Sequence, residues 1–197
     1  MAKEKIIVGL TGNLGSGKST VGNFLKELGA DVINADEIGH EVLKHVKNEV
    51  VKRFGNEIVN EYGEIDRKAL AYRAFESKET VEILNSIVKP HIVKLIDDLV
   101  KNSRARIVVV DGALIFEYNM EDYFDYIVYV YTPEEMSIER FMKRTGYPRD
   151  MAKKILSYQM PASLKKEKAD FIIENTGTIE DLRKKALDVW EKISKDP

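Results

Sequence analysis

The sequence predicts an α/β protein built on a parallel sheet of about five strands. Five short runs rich in apolar residues have the length and composition of buried strands. They cover residues 6–10, 31–34, 107–110, 126–131 and 169–173. Helical patterns separate the runs, and this alternation is typical of a parallel sheet covered by helices.

The first two runs enclose a helix. Its predicted span is 18–28, with Val21 and Leu25 on one side and Gly29 as the stop signal. A strand, a helix and a second strand within about 30 residues form a β-α-β unit, which is expected to be parallel and right-handed.

Two further helical segments are expected to leave the sheet where strands end, which is where open α/β folds bind ligands. The first covers about 37–104 and contains no convincing buried strand, and the second covers about 133–168. Breaks are predicted at Gly55, Gly63, Lys89-Pro90, 145–148 and Met160-Pro161.

The composition of the 197 residues narrows the class of protein. With 31 Lys and Arg against 33 Asp and Glu, the net charge of −2 does not indicate a nucleic-acid partner. The absence of cysteine excludes disulfides, thiolate metal sites and cysteine nucleophiles. No apolar run reaches the roughly 18 residues of a membrane helix. We expect a cytoplasmic protein, monomeric or weakly homo-oligomeric, that binds neither membrane nor nucleic acid.

The stretch GNLGSGKS at 12–19 satisfies the pattern G-x-x-x-x-G-K-[ST]. Its glycines let successive backbone N–H groups surround phosphate oxygens at a helix N-terminus, whose dipole also favours anions. A glycine-rich turn that binds nothing is the alternative, but the motif lies between a buried strand and a helix. We predict a nucleoside triphosphate site. The candidate contacts are Gly12, Asn13, Leu14, Gly15, Ser16, Gly17, Lys18, Ser19 and Thr20.

Three side chains are candidates for the chemistry of this phosphate loop. Lys18 is placed to reach the β- and γ-phosphates, and the Ser19 hydroxyl to bind Mg²⁺. A second metal-binding group is expected at a strand end, where Asp111 closes the run RIVVVD. Alternatively, Asp111 and Gly112 form only a turn.

Asp36 follows the second strand and should emerge at the same sheet edge as the phosphate loop. There its carboxylate could orient or deprotonate an acceptor hydroxyl. Alternatively, it caps a helix that starts at Glu37. Position alone does not decide between the two.

Residues 140–168 carry nine Lys and Arg but only two acidic residues. The segment could be a nucleic-acid surface, a solvated helix face, or a lid whose arginines close over the γ-phosphate. Its insertion after a strand of a phosphate-loop sheet favours the lid, with Arg140 and Arg144 as candidate catalytic residues.

These features together predict a P-loop NTPase fold of three layers, α/β/α, with a helical substrate-binding insert and a helical lid. The guanine-reading Asn-Lys-x-Asp of GTPases does not occur. A kinase for small metabolites is therefore favoured. Another P-loop nucleoside or nucleotide kinase remains an alternative, as does a nucleotide-dependent switch or binding module.

The chain resembles the dephospho-CoA kinase family nearly from end to end. The most specific matches are GEIDR, the Phe-Glu that follows Asp111, and QMP leading to KADFIIENTG. The segments that carry the resemblance are GLTGNLGSGKSTV, ADVINADEIGHEV, FGNEIVNEYGEIDRKALAYRAF, LNSIVKPHI, VVVDGALIFE, ERFMKRTG and QMPASLKKEKADFIIENTGT. The resemblance implies transfer of a phosphoryl group from ATP, with Mg²⁺, to the ribose 3′-hydroxyl of dephospho-CoA.

The resemblance also implies roles for particular residues. Asp36 would orient the 3′-hydroxyl or accept its proton, while Arg67 and Glu117 would bind the acceptor. Arg67 could instead be an ordinary residue of a helix first turn. Arg144 matches the lid arginine, and Asn175 lies near the adenine of ATP unless it only forms a strand-end turn.

The resemblance further implies a division of the chain into three parts. Residues 1–40, 105–132 and 169–197 would form the nucleotide-binding core, 41–104 the acceptor-binding region and 133–168 the lid. At Ile155 the family commonly has an arginine. Either Lys153 or Lys154 would supply that charge, or the lid would depend more on Arg140, Arg144 and Arg149.

Overall fold

The computed structural model describes residues 5–195, which include a five-stranded, wholly parallel sheet. The strand order is β2-β3-β1-β4-β5, with β1 in the centre. The strands are β1 (Ile6–Gly12), β2 (Asp31–Asn34), β3 (Ile107–Asp111), β4 (Tyr126–Tyr131) and β5 (Phe171–Glu174). The predicted α/β class and strand number are confirmed.

Nine α-helices occur in the described part of the chain. They are α1 (Lys18–Glu27), α2 (Ala35–His45), α3 (Lys47–Phe54), α4 (Arg67–Ala74), α5 (Lys78–Asn102), α6 (Glu134–Thr145), α7 (Arg149–Ser157), α8 (Ala162–Lys168) and α9 (Ile179–Ser194). Local sequence explains where several helices begin or end. Asp66 caps the N-terminus of α4, and Thr178 and Asp181 form a capping box on α9. Gly146, in the left-handed conformation, ends α6.

Both faces of the sheet are buried, as the continuous apolar runs predict. On one face, alternate residues such as Leu10 and Val128 pack in a single cluster with Leu25 of α1 and Ala186 of α9. The intervening residues point to the opposite face. They are buried too, as Val108 of β3 shows.

The chain forms two compact units. The first contains the sheet and consists of the residues up to Asn34 and from Leu99 onward, and the second is Ala35–Asp98. The second unit contains helices and one isolated antiparallel bridge, between Val59 and Ile65. The assignment of 41–104 to acceptor binding and of 133–168 to a lid remains a prediction.

Two local expectations were wrong. A break was expected at Lys89-Pro90, but α5 continues through Pro90. Buried residues lie along α5 on both sides of the proline, including Val88 and Ile92, so packing of this face compensates for the hydrogen bond that proline cannot donate. The alternative role for Asp36 was to cap a helix that starts at Glu37. However, α2 begins at Ala35, and Asp36 lies inside its first turn.

Candidate active site

The phosphate loop joins the central strand to α1 and has little space for side chains at its glycines. Gly15 and Gly17 have φ values of 68° and 89°, which L side chains rarely adopt. A Cβ on Gly12 would lie 2.2 Å from Ser16 Oγ, and one on Gly15 would lie 2.1 Å from the carbonyl oxygen of Ser137. The glycines are therefore needed for the close approach of the surrounding chain as well as for the turn.

The structure brings Lys18 and Asp111 together at this loop. Lys18 is 8% exposed and Asp111 is 2% exposed, and Lys18 Nζ donates to Asp111 Oδ1 at 2.7 Å. The parallel register explains why the two side chains are close, because Leu10 of β1 lies opposite Asp111 at the end of β3. A buried cation and a carboxylate thus lie at the N-terminus of α1.

Ser19 and Thr20 occupy the first turn of α1, where Ser19 is exposed. The hydroxyl of Ser19 and the carboxylate of Asp111 are oxygen donors of the kind that Mg²⁺ prefers. They are compatible with a metal that completes its coordination with phosphate oxygens and water. Among residues 5–195, no group of three or more His, Asp and Glu side chains is arranged to hold a metal by itself.

The predicted residues Asn175 and Arg140 meet next to the phosphate loop. Asn175 follows β5 and is 8% exposed, and its Nδ2 donates to the Ser16 carbonyl at 2.7 Å. Arg140 of α6 donates to the Asn175 carbonyl at 3.2 Å. The Thr132 hydroxyl lies 3.1 Å from the carbonyl oxygens of both Ser16 and Asn175. The loop after β5, the end of β4 and α6 are therefore joined by hydrogen bonds next to the phosphate loop.

Two polar side chains that the sequence did not single out also fix this loop. The buried Ser137 hydroxyl donates to the Leu14 carbonyl, and Gln159 Oε1 accepts from the Leu14 N–H at 3.0 Å. Both belong to the segment 133–168. They were missed because each is more than 100 residues from Leu14 in the chain.

Asn13 connects the phosphate loop to the loop between α7 and α8. Its Nδ2 donates to the Met160 carbonyl at 3.4 Å, and its Oδ1 accepts from the Tyr129 hydroxyl at 2.8 Å. Burial raises the pKa of Tyr129, so the phenol stays protonated and neutral.

Glu117 contacts the loop between α7 and α8, and also α8. Its Oε1 accepts from the Met160 N–H at 2.7 Å and lies 3.0 Å from Lys165 Nζ. Lys165 is completely buried, and that burial lowers its pKa, against the opposing effect of Glu117. Sequence reasoning missed Lys165, because nothing distinguishes it among the lysines of this segment.

Arg144 lies in the last turn of α6 and is exposed. Its guanidinium carbon is 6.0 Å from the centre of the Phe141 ring, which stacks on Tyr147. Its expected catalytic role remains a prediction. Ile155, where a family arginine was expected, packs against the small apolar cluster of the lid.

In the second unit, Asp36, His40 and Arg67 are neighbours. Arg67 is the first residue of α4, after the capping Asp66, and its Nη1 lies 2.9 Å from His40 Nδ1. Partial burial and the Arg67 charge lower the pKa of His40, while the carboxylate of Asp36, one turn earlier on α2, acts in the opposite direction. Sequence reasoning did not distinguish His40 from the other two histidines.

The fold and the loop define a class of protein, the P-loop kinases. The structure resembles shikimate kinase from Acinetobacter baumannii, with a TM-score of 0.54 over 96% of this chain and 94% of that chain, at 20% identity. That likeness shows the fold alone.

The chain belongs to the dephospho-CoA kinase family, whose model it matches over residues 6–181. The dephospho-CoA kinase of Carboxydothermus hydrogenoformans is 39% identical and aligns with 94% of this chain and 93% of its own length. The solved dephospho-CoA kinase of Campylobacter jejuni is 32% identical, with a TM-score of 0.67 over 96% of this chain and 97% of that chain. The protein is therefore a kinase, which confirms the predicted resemblance and enzyme class.

None of the helices in the described part of the chain is long and apolar enough to cross a membrane.

Proposed function

We propose that this protein transfers the γ-phosphoryl group of ATP to the ribose 3′-hydroxyl of dephospho-CoA, giving CoA and ADP. Membership of the family supports the reaction. The observation that carries the proposal is the phosphate loop with the buried pair Lys18 and Asp111 at its helix N-terminus.

The backbone N–H groups of the loop bind the β-phosphate, and Lys18 contacts the β- and γ-phosphates. Ser19 and Asp111 would hold Mg²⁺, which would supply neutralisation of the phosphate charge. Asn175 borders the adenine. The hydrogen bond of its side chain holds the loop after β5 against the phosphate loop, which supports this position. Arg140 and Arg144 of the lid stabilise charge on the transferred group.

In the transfer, the acceptor 3′-oxygen forms a bond to the γ-phosphorus, while the bond to the β,γ-bridging oxygen breaks and ADP leaves. The 3′-hydroxyl gives up its proton to Asp36. The resemblance of the stretch ADVINADEIGHEV to the family supports this role. Arg67 and Glu117 bind the acceptor.

The proposal is tested by incubating the protein with γ-labelled ATP, Mg²⁺ and a panel of acceptors. We expect label transfer to dephospho-CoA at a kcat/KM well above those for nucleosides and nucleoside monophosphates. Preference for one of the latter would indicate a different P-loop kinase. Slow hydrolysis of ATP without transfer to any acceptor would indicate a nucleotide-dependent switch.

The matched control is Lys18→Ala. It removes the phosphate-binding cation and should abolish transfer to every acceptor, whichever acceptor is preferred.

A further inference from the structure

The first unit contains a cavity of about 470 Å³ to which no ligand is assigned above, although the phosphate-loop residue Asn13 forms part of its wall. It lies between the end of β4, the beginning of α6, the last turns of α7 and residues 159–162. Its volume is within the range of about 300–1,000 Å³ that is usual for small-molecule sites. The cavity is large enough for a substantial part of a substrate.

The charge of the lining does not suit a phosphate group. Glu134 and Lys153, one acidic and one basic residue, are the charged side chains among the described residues that line it. The glycines and Lys18 of the phosphate loop are not among the lining residues. A neutral ligand is therefore favoured.

The uncharged lining combines hydrogen-bonding groups with apolar walls. The Tyr129 hydroxyl, kept neutral by its raised pKa, donates to Asn13 and can still accept. Gln159 uses its Oε1 on the Leu14 N–H, which leaves its NH₂ group able to donate. Leu156 and Met160 provide apolar surface. This lining suits a flexible chain with amide or hydroxyl groups and aliphatic carbons.

Hydrogen bonds hold the cavity in shape. The Met160 backbone donates to Glu117 and accepts from Asn13. Glu117 is in turn paired with the fully buried Lys165. A preformed site of this kind loses less conformational entropy when a ligand binds.

The cavity also borders the reaction centre. Asn13, the second residue of the phosphate-loop motif, lies in its wall. A substrate part held in the cavity would therefore lie next to the loop that binds the phosphates.

We propose that this cavity binds the pantetheine arm of dephospho-CoA, an inference that rests on the proposed function. The arm is neutral and contains two amides, a hydroxyl group and a pair of methyl groups, so its chemistry matches the lining. ATP has no such part. The diphosphate and adenosine of the acceptor would lie outside the cavity.

The test combines a variant whose new side chain fills the cavity with a measurement of inhibition by free pantetheine. Ser157 is exposed and lines the cavity, so Ser157→Trp should block it without disturbing the core. We expect KM for dephospho-CoA to rise at least about tenfold, with KM for ATP unchanged. Ser163→Trp on α8 is the matched control, because Ser163 is exposed and does not line the cavity. It should keep the wild-type KM values.

Free pantetheine supplies the second measurement and does not depend on any variant folding correctly. It should inhibit the wild-type enzyme competitively with dephospho-CoA, and Ser157→Trp should lose this inhibition. Inhibition competitive with ATP, or none at millimolar pantetheine, would overturn the assignment, as would an unchanged KM in Ser157→Trp. If the wild-type enzyme does not phosphorylate dephospho-CoA at all, the proposed function itself fails.

Discussion

Lys18 is a single residue whose burial and charge would conflict without a partner. Lys18 is only 8% exposed. Burial of its ammonium group is costly unless an opposite charge or hydrogen bonds compensate. Asp111, 2.7 Å away, provides that compensation. The fold can therefore keep a fixed positive charge at the phosphate loop, ready to interact with a polyphosphate.

Asp36→Asn tests the proposed proton acceptor. The amide keeps the size of the side chain but cannot take a proton, so kcat should fall about 10²-fold or more. The affinity for ATP should be kept, because the phosphate loop is unchanged. Steady-state kinetics with dephospho-CoA and a separate ATP binding measurement check both parts.

Glu37→Gln is the matched control, since Glu37 is the adjacent exposed carboxylate of the same helix turn. It should keep a kcat close to that of the wild type. Near-normal turnover in Asp36→Asn, or an equal loss in both variants, would contradict the role of Asp36.

The contact between His40 and Arg67 predicts a pH dependence. Because the pKa of His40 lies below its ordinary value of 6.5, the imidazole is neutral at pH 7. It becomes charged only as the pH falls through the lowered value. An imidazolium would then repel the guanidinium of Arg67, so KM for dephospho-CoA should rise as the pH falls through the lowered pKa of His40.

His40→Asn should make this rise of KM disappear, because asparagine does not titrate in this range. His91→Asn changes an exposed histidine of α5 and should leave the pH profile of KM as in the wild type. A wild-type KM that stays constant between pH 7 and 5 would contradict the prediction.

At the scale of elements, the strand-loop-helix unit depends on a glycine at its helix N-terminus. Gly17→Ala introduces a Cβ at φ 89° and 2.3 Å from Asn175 Nδ2. The backbone strain and the displaced Asn175 should deform the loop and raise KM for ATP at least about tenfold. Steady-state kinetics at varied ATP concentration measure the effect.

Gly29→Ala is the control that introduces backbone strain without a clash against a neighbouring side chain. Gly29 follows the other end of α1, also with positive φ, but no atom lies within 4 Å of its Cβ position. This variant should lose stability by about 1–2 kcal/mol from strain and keep its KM for ATP. Equal KM values in Gly17→Ala and the wild type would show that the loop tolerates a side chain.

Elements were predictable where short-range pattern and long-range packing agree. The runs at 31–34 and 126–131 became strands over the same residues. The second is buried over 127–130, whereas the first is an edge strand in which only Ile33 is buried. Pro90 is the counterexample. Proline predicts a break locally, whereas the buried face of α5 continues past it, which no local rule reveals.

At the scale of the whole molecule, nucleotide binding should stabilise the unit that contains the sheet. Trp190 is the one tryptophan of the sequence and packs against the core of this unit, so its fluorescence follows the unfolding of that unit. ATP at about 100 times its Kd adds about 2.7 kcal/mol, which corresponds to a rise in Tm of about 5–10 °C.

The control compares Lys18→Ala with and without ATP, so that any loss of basal stability cancels. The rise in Tm should be much smaller in this variant. A rise as large as in the wild-type protein would mean that the nucleotide binds elsewhere.

The candidate site was predictable in part, including the distant residues Asn175 and Arg140. The phosphate loop is a local motif, and Asp111 follows from the rule that parallel strands end at one edge. Thr132, Ser137 and Gln159 could not be predicted, because they reach the loop through tertiary packing of residues far along the chain. A serine or glutamine alone carries no signal of such a contact.

The pair of Glu117 and the fully buried Lys165 restricts how this sequence can change in evolution. Loss of either partner leaves the other charge unpaired in the interior, which lowers the free energy of unfolding by roughly 3–5 kcal/mol. That is a large share of the roughly 5–15 kcal/mol by which a typical domain is stable. Replacement of both by apolar residues of similar size is far less harmful. Descendants of this protein should thus retain the two ionic residues jointly or exchange them jointly, and lineages with only one should carry compensating changes nearby.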